Sequence, residues 1–156
     1  MADSILDRFD RAILAILQED NTTPLRRIGE LVHLSAAAVQ RRIRRLEQTG
    51  VIQANTAQLD PARLGRAITL IVEISVESER LDLLDATQAR LAAAPEIQQC
   101  YYVTGESDFV LIVTVRTMAE YQALTRRLFF ADGNVKSFRT HVVMDRIKTG
   151  TRIPVD

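Results

Sequence analysis

The chain has 156 residues, 20 basic and 20 acidic side chains, and 47% hydrophobic content. That describes one ordinary globular domain or two small ones rather than a disordered tail. No apolar run approaches the roughly 20 residues needed to cross a bilayer, no basic-then-apolar leader opens the chain, and Cys100 with two histidines offers neither an internal disulfide nor a structural zinc site. The expectations are therefore a cytoplasmic protein with no membrane partner, no metal and no cofactor.

The net charge of zero hides a segregated distribution. Residues 1–21 hold two arginines against five acids, a net of −3, while residues 22–50 hold six arginines against Glu30 and Glu47, a net of +4. A phosphate backbone meets the local field, not the total. Arginine is also the better residue for phosphate forks and guanine edges.

In chain order, Phe9, Ile13, Ile16 and Leu17 form one helical stripe that ends at Asp20 and Asn21. Thr23 offers an N-cap, with Pro24 at the first helical position. Leu25, Ile28, Leu31 and Val32 make a second stripe. His33 and Leu34 are a tight turn, Ser35 caps a third helix buried through Val39, Ile43 and Leu46, and Gly50 ends it. Two helices joined by a tight turn on a preceding helix are the helix-turn-helix pattern. Residues 1–52 are read as that domain, and residues 53–65 as a linker strand (53–59) plus the turn from Asp60 to Gly65.

From residue 66 to 156 the period switches to two. Ile68, Leu70, Val72, Ile74 and Val76 share one strand face, with Glu73 and Ser75 on the other. A helix through Leu81, Leu84 and Leu91 stops before Pro95. Strands at 97–104 and 109–116 flank the loop 105–108. Thr117 and Glu120 form a capping box for a helix through Tyr121, Leu124 and Leu128. Asp132, Gly133 and Asn134 turn into a long last strand, 135–147. The order βαββαβ is ferredoxin-like, so the chain as a whole is α+β.

With Val39, Ile43 and Leu46 inward, about 100° per residue turns Ala37, Arg41, Arg44 and Gln48 outward, flanked by Gln40 and Arg45. Small residues at the helix start admit a groove wall, and arginine and glutamine reach phosphates or base edges of duplex DNA. A solvated αα-corner is the alternative. No catalytic constellation is present: His33 and His141 lack a nucleophile or carboxylate partner by spacing, so no enzyme is expected. The other reading is a stand-alone ligand-binding or small enzymatic ferredoxin-like protein whose N-terminal helices serve assembly alone. The loop at Gly105 is either an ordinary hairpin turn or a site whose backbone N–H groups take a carboxylate while Asp108 takes an ammonium, as an amino acid would require.

The segments LDRFDRAILAILQED, LSAAAVQRRIRRLEQTGVI, LDPARLG, YYVTGESDFVLIV and FRTHVVMDRIK run in order from residue 6 to about 148 and resemble the Lrp/AsnC family of transcription regulators. The resemblance implies a winged helix-turn-helix domain, with residues 35–48 (from Ser35) as recognition helix. It also implies a C-terminal domain that oligomerises and binds small effectors, commonly amino acids. Residues 102–108 match the family's effector loop and Thr140 a position lining the same cleft between subunits. These residues come from neighbouring strands and can converge at one sheet end, so the expectation is that the Gly105–Glu106 backbone holds the carboxylate, Asp108 holds the ammonium or organises the loop, Tyr102, Thr104 and Thr140 line the pocket, and Phe130 and Val142 are its apolar walls. Homodimers that join further, up to four in a ring (an octamer), are implied as well. Two departures stand out: His33 where the family has glycine, and Asp132-Gly133-Asn134 where it has Leu-Pro-Gly.

Overall fold

A computed structural model describes residues 6–131 and 133–155; Asp132 of the expected turn lies outside them. The described residues of 1–58 and 148–156 form one compact unit, and residues 59–147 form another.

The first unit holds α1 (Arg8–Glu19), α2 (Leu25–Val32) and α3 (Ala36–Gln48). Ile13, Ile28 and Val39, one from each helix, are fully buried together. Asp7 caps α1, its carboxylate accepting from the N–H groups of Phe9 and Asp10, while Asp10 accepts from the N–H of Asp7 in return. The expected Thr23 cap does not form. Its hydroxyl donates instead to the carbonyl of Asp20, and the first turn closes on Pro24 through the N–H of Ile28.

The α2–α3 turn is tight for two reasons. His33 takes the left-handed conformation at φ 58°, where the N–H of Leu34 donates to the carbonyl of Gly29. Gly29 has no side chain where a Cβ would lie 2.5 Å from the carbonyl oxygen of Leu34. Ser35 caps α3 as expected, accepting from the N–H of Ala38 at 3.2 Å.

Residues 53–59, expected as a linker strand, form none. An extended segment becomes a strand only against a neighbour, and among the described residues no strand lies alongside it. For the same reason no wing strands pair among the described residues of this unit. The turn after it does form: the Asp60 carboxylate accepts from the N–H of Ala62, and Arg66 donates back to the carbonyl of Pro61. Residues 148–155, grouped with the C-terminal domain on sequence, return to α1. Gln18 exchanges two hydrogen bonds with the backbone of Ile153, at 3.0 and 2.9 Å, and Glu19 pairs with Arg152.

The second unit is a four-stranded antiparallel sheet in the order β2-β3-β1-β4, built from β1 (Ile68–Val76), β2 (Ile97–Tyr102), β3 (Phe109–Val115) and β4 (Val135–Val142). With α4 (Leu81–Ala92) after β1 and α5 (Met118–Thr125) after β3, this is the expected βαββαβ arrangement. Leu70, Val72 and Ile74 of β1 and Phe109, Leu111 and Val113 of β3 are fully buried against Leu84, Leu91, Tyr121 and Leu124 of the two helices. The turn after α5, Arg126–Phe130, is π-helical and buries Leu128 and Phe129 in the same core.

Two expectations for this unit need correction. The capping box at α5 is half formed: Thr117 accepts from the N–H of Glu120, but the Glu120 carboxylate turns to the N–H of Arg116 and to Arg66. The last strand stops at Val142 rather than running to 147. Its partner β1 starts at Ile68, so beyond the bond from Val143 N–H to the carbonyl of Thr69 the ladder has nothing to pair with.

Candidate nucleic-acid interface and ligand site

On α3, the buried Val39 and Leu46 lie on the opposite side of the helix from a solvent-facing row. Ala37, Gln40, Arg41, Arg44, Arg45 and Gln48 are all exposed and line one shallow concavity of about 410 Å³. These are the residues that helical periodicity turned outward, now on one surface. Ser35, also exposed, stands at the start of the helix with its hydroxyl oxygen engaged in the cap.

The arginines of α3 are not equivalent. Arg42 lies on the α1 side, bonded to Asp7 at 2.7 Å and to Asp10 at 2.8 Å, with its guanidinium 5.4 Å from the ring centroid of Phe9. Arg45 bonds the other carboxylate oxygen of Asp10. The hydrogen bonds to Asp10 and Asp7 raise the pKa of Arg42 further above its ordinary value. Segment charges overstate the free positive field, because two of these arginines are balanced by two acids of α1. Arg41 and Arg44 remain outward. Sequence reading missed this clamp, since an acid 32 or more residues away carries no local signal.

In the sheet unit, the loop 105–108 sits at the end of β1. Asp108 donates its N–H to the carbonyl of Ile74, and its carboxylate accepts from the N–H of Val76 at 2.7 Å. Ser75 donates to the carbonyl of Glu106 at 3.3 Å, and Gly105 has φ 133°, a conformation that side chains other than glycine rarely adopt. Thr104, Gly105 and Glu106 are exposed. Tyr102 ends β2 with its ring 5.3 Å from that of Phe109. Beside the loop, on the sheet face away from the helices, Glu73, Ser75, Glu106, Ser107, Ser137, Phe138 and Arg139 line a cavity of about 240 Å³. Arg139 lies 3.3 Å from Glu73 across it.

The structure groups only part of the residues assigned to an effector. Phe130, 72% exposed, meets the edge of Phe138, which pairs with Ile74 and so lies at the loop end. Thr140 pairs with Val72 on the helix-covered face, its hydroxyl bonded to that of Tyr121. Val142 pairs with Leu70, six residues from Val76 along β1, or about 20 Å by strand rise. Within one chain Val142 and the loop cannot touch the same small ligand. Glu73, Ser137 and Arg139 were not singled out from sequence; strand alternation marks Glu73 as polar-side, but only the β1–β4 register brings Arg139 beside it.

Fold and surfaces together define a helix-turn-helix regulator joined to a ligand-binding αβ domain. Residues 6–47 match the AsnC-type helix-turn-helix domain and residues 69–153 the Lrp/AsnC ligand-binding domain. The chain belongs to the Lrp/AsnC family of DNA-binding transcriptional regulators. It is 41% identical over 151 residues to an uncharacterised HTH-type transcriptional regulator of Sinorhizobium fredii, covering 97% of this chain and 89% of that one. The leucine-responsive regulatory protein of Salmonella typhimurium is 34% identical over 150 residues, 96% of this chain and 92% of its own. Among solved structures, an AsnC family regulator from Agrobacterium tumefaciens matches with TM-score 0.89 and 33% identity over 96% of this chain and 97% of its own. A transcriptional regulator of Neisseria meningitidis in complex with L-Met matches with TM-score 0.89 and 25% identity over 97% of both chains.

Proposed function

We propose that this protein is a cytoplasmic, non-enzymatic regulator that reads duplex DNA in a sequence-specific way through the outer face of α3 and whose assembly or DNA affinity responds to an amino acid. The observation that carries the DNA half is the single exposed surface made by Ala37, Gln40, Arg41, Arg44, Arg45 and Gln48. No buried stripe explains those residues, and their chemistry is that of phosphate and base-edge contacts.

The effector half rests on the loop 105–108 and on the kinship with a leucine-responsive protein and an L-Met complex. In this reading the Gly105–Glu106 backbone takes the ligand carboxylate. Asp108, already engaged by the N–H of Val76, acts by organising the loop. Tyr102, Thr104 and Phe130 flank it. Thr140 and Val142 contribute where a neighbouring subunit supplies them.

Assembly follows from the sheet. Ile71, Val110 and Ile112 lie on the face opposite the helix-buried set and are only half-buried, with Tyr101 exposed beside them. A second copy covering that face makes a homodimer, with two recognition helices for half-sites about one helical turn or a multiple apart. Further joining of dimers, up to an octamer, is part of the same proposal.

A thermal-shift screen of the common amino acids, repeated on Asp108→Ala, tests the effector. An amino acid that binds the folded protein raises its melting temperature; that rise is expected to vanish in the variant. An equal rise in both proteins removes the loop from the site. Light scattering at micromolar protein tests assembly, and a monomer would exclude it.

A further inference from the structure

We infer that Asp10 is a positioning residue for DNA binding, holding Arg45 in the orientation in which it meets a phosphate. The inference rests on the reading that α3 faces DNA and adds to it a residue on another helix that touches no nucleic acid.

Asp10 is the one carboxylate in the described N-terminal unit that is fully shielded from water, its side chain 1% exposed. A buried charge persists only with its hydrogen-bonding capacity filled. Here one carboxylate oxygen accepts from Arg42, and the other from Arg45 and from the N–H of Asp7. The two arginines differ in what remains of them. Arg42 is 23% exposed, spends the same terminal amine on Asp7 as well, and lies toward Phe9. Arg45 is 47% exposed, gives Asp10 a single terminal amine, and lines the concavity shared by Arg41 and Arg44.

A guanidinium carries five N–H groups in one rigid plane. Anchoring one on a buried carboxylate leaves the others on the outward edge at a set angle, ready for two phosphate oxygens. An unanchored arginine must give up rotamer freedom to make the same contact, so the anchor lowers the entropy lost on binding. The α1 motif thus has a second role beyond its capping box: it presents a cation on the helix that reads DNA.

A phosphate contact does not depend on base sequence, so a labelled random-sequence duplex at low salt is a sufficient probe. Fluorescence anisotropy of the full chain is measured for the parent, Asp10→Asn, Arg45→Gln and the double variant, at a temperature where circular dichroism shows each one folded. Each single variant is expected to weaken binding by about two- to tenfold. The double variant should bind no more weakly than Arg45→Gln alone, because Asp10 acts only through Arg45. Independent, multiplying losses would make Asp10 a structural residue only, and tighter binding by Asp10→Asn would show that it withholds Arg45 rather than presenting it. Either result overturns the proposal. Should Asp10→Asn fail to fold, Asp10→Glu decides: it keeps the charge but moves the carboxylate by one methylene, so weaker binding that disappears in the Arg45→Gln background supports anchoring, and binding like the parent refutes it. If Arg45→Gln, Arg41→Ala and Arg44→Ala all bind like the parent, the failure belongs to the reading of α3 itself.

Discussion

Arg41 and Arg44 stand one helical turn apart on α3, exposed and with no carboxylate partner among the described residues. An arginine that reads a base edge contributes about 1–3 kcal/mol of discrimination, and one on a phosphate changes the salt slope by about one. Gel-shift titrations of Arg41→Ala and Arg44→Ala against salt are expected to show one or the other loss in each, with melting temperature unchanged. Parent-like binding by both would remove α3 as the reading helix. His33 offers a test of the turn. A residue with a Cβ in the left-handed region is held about 1 kcal/mol or more above its ease elsewhere, whereas glycine adopts it freely. His33→Gly, the residue the family resemblance leads one to expect there, should raise the melting temperature slightly without altering DNA affinity. A clear fall would mean that the histidine side chain makes contacts worth more than the strain it carries.

At the scale of elements, the helix-turn-helix is held by a close approach and an ionic clamp. Gly29 faces the backbone of Leu34, so adding a methyl group must push two chain segments apart. Alanine normally favours a helix by about 1 kcal/mol over glycine, yet Gly29→Ala is expected to destabilise the protein by about 1–3 kcal/mol through overpacking. Denaturant melts would show it, and a stabilised variant would mean that the turn is looser than described. The cap of α1 adds a pH dependence. The N–H of Asp10 first, and Arg42 after it, hold the Asp7 carboxyl below its usual value, and Thr22 does the same for Asp20. A carboxyl with a lowered folded pKa contributes stability that is complete above its unfolded value and is lost as pH falls through the folded one. The melting temperature should therefore decline below about pH 4, and Asp7→Asn should make that decline shallower.

For the molecule as a whole, the tail after β4 is the unexpected feature. Residues 148–155 belong with the N-terminal unit, through the paired hydrogen bonds of Gln18 with Ile153 and the Glu19–Arg152 ion pair. The chain therefore passes between its two units twice, once near residue 58 and again near residue 147. Two exposed hydrogen bonds contribute about 0.5–1.5 kcal/mol each. Removing the residues from Lys148 onward should lower the melting transition of the DNA-binding unit while leaving that of the sheet unit in place. A single unchanged transition would show that the tail adds nothing to α1. If an effector response travels through the tail, the truncated protein is also where its coupling to DNA affinity should change, since the hydrogen-bonded attachment of the tail to α1 is gone.

The N-terminal helices, the βαββαβ order and the outward row on α3 were legible in the sequence because each depends on local periodicity. A helix turns its residues by a constant angle and a strand alternates them, so Val39 and Leu46 go inward together and Arg41 and Arg44 outward together whatever else the chain does. The loop 105–108 was legible as a glycine-bearing turn between strands. What it could touch was not. Strand register put Thr140 on the helix-covered face against Tyr121 and Val142 some six residues along β1 from the loop end, and the same register brought Glu73 and Arg139 together beside it. Residues 53–59 have the alternation of a strand but no strand beside them among the described residues, and the last strand ended where its partner did. Most of all, Arg42 and Arg45 counted as free positive charge in their segment, and only the fold shows Asp7 and Asp10, more than 30 residues earlier, bonded to them. Local periodicity is written in neighbouring residues, whereas ion pairs, ladder ends and site membership depend on which distant segments meet, and only the folded chain decides that.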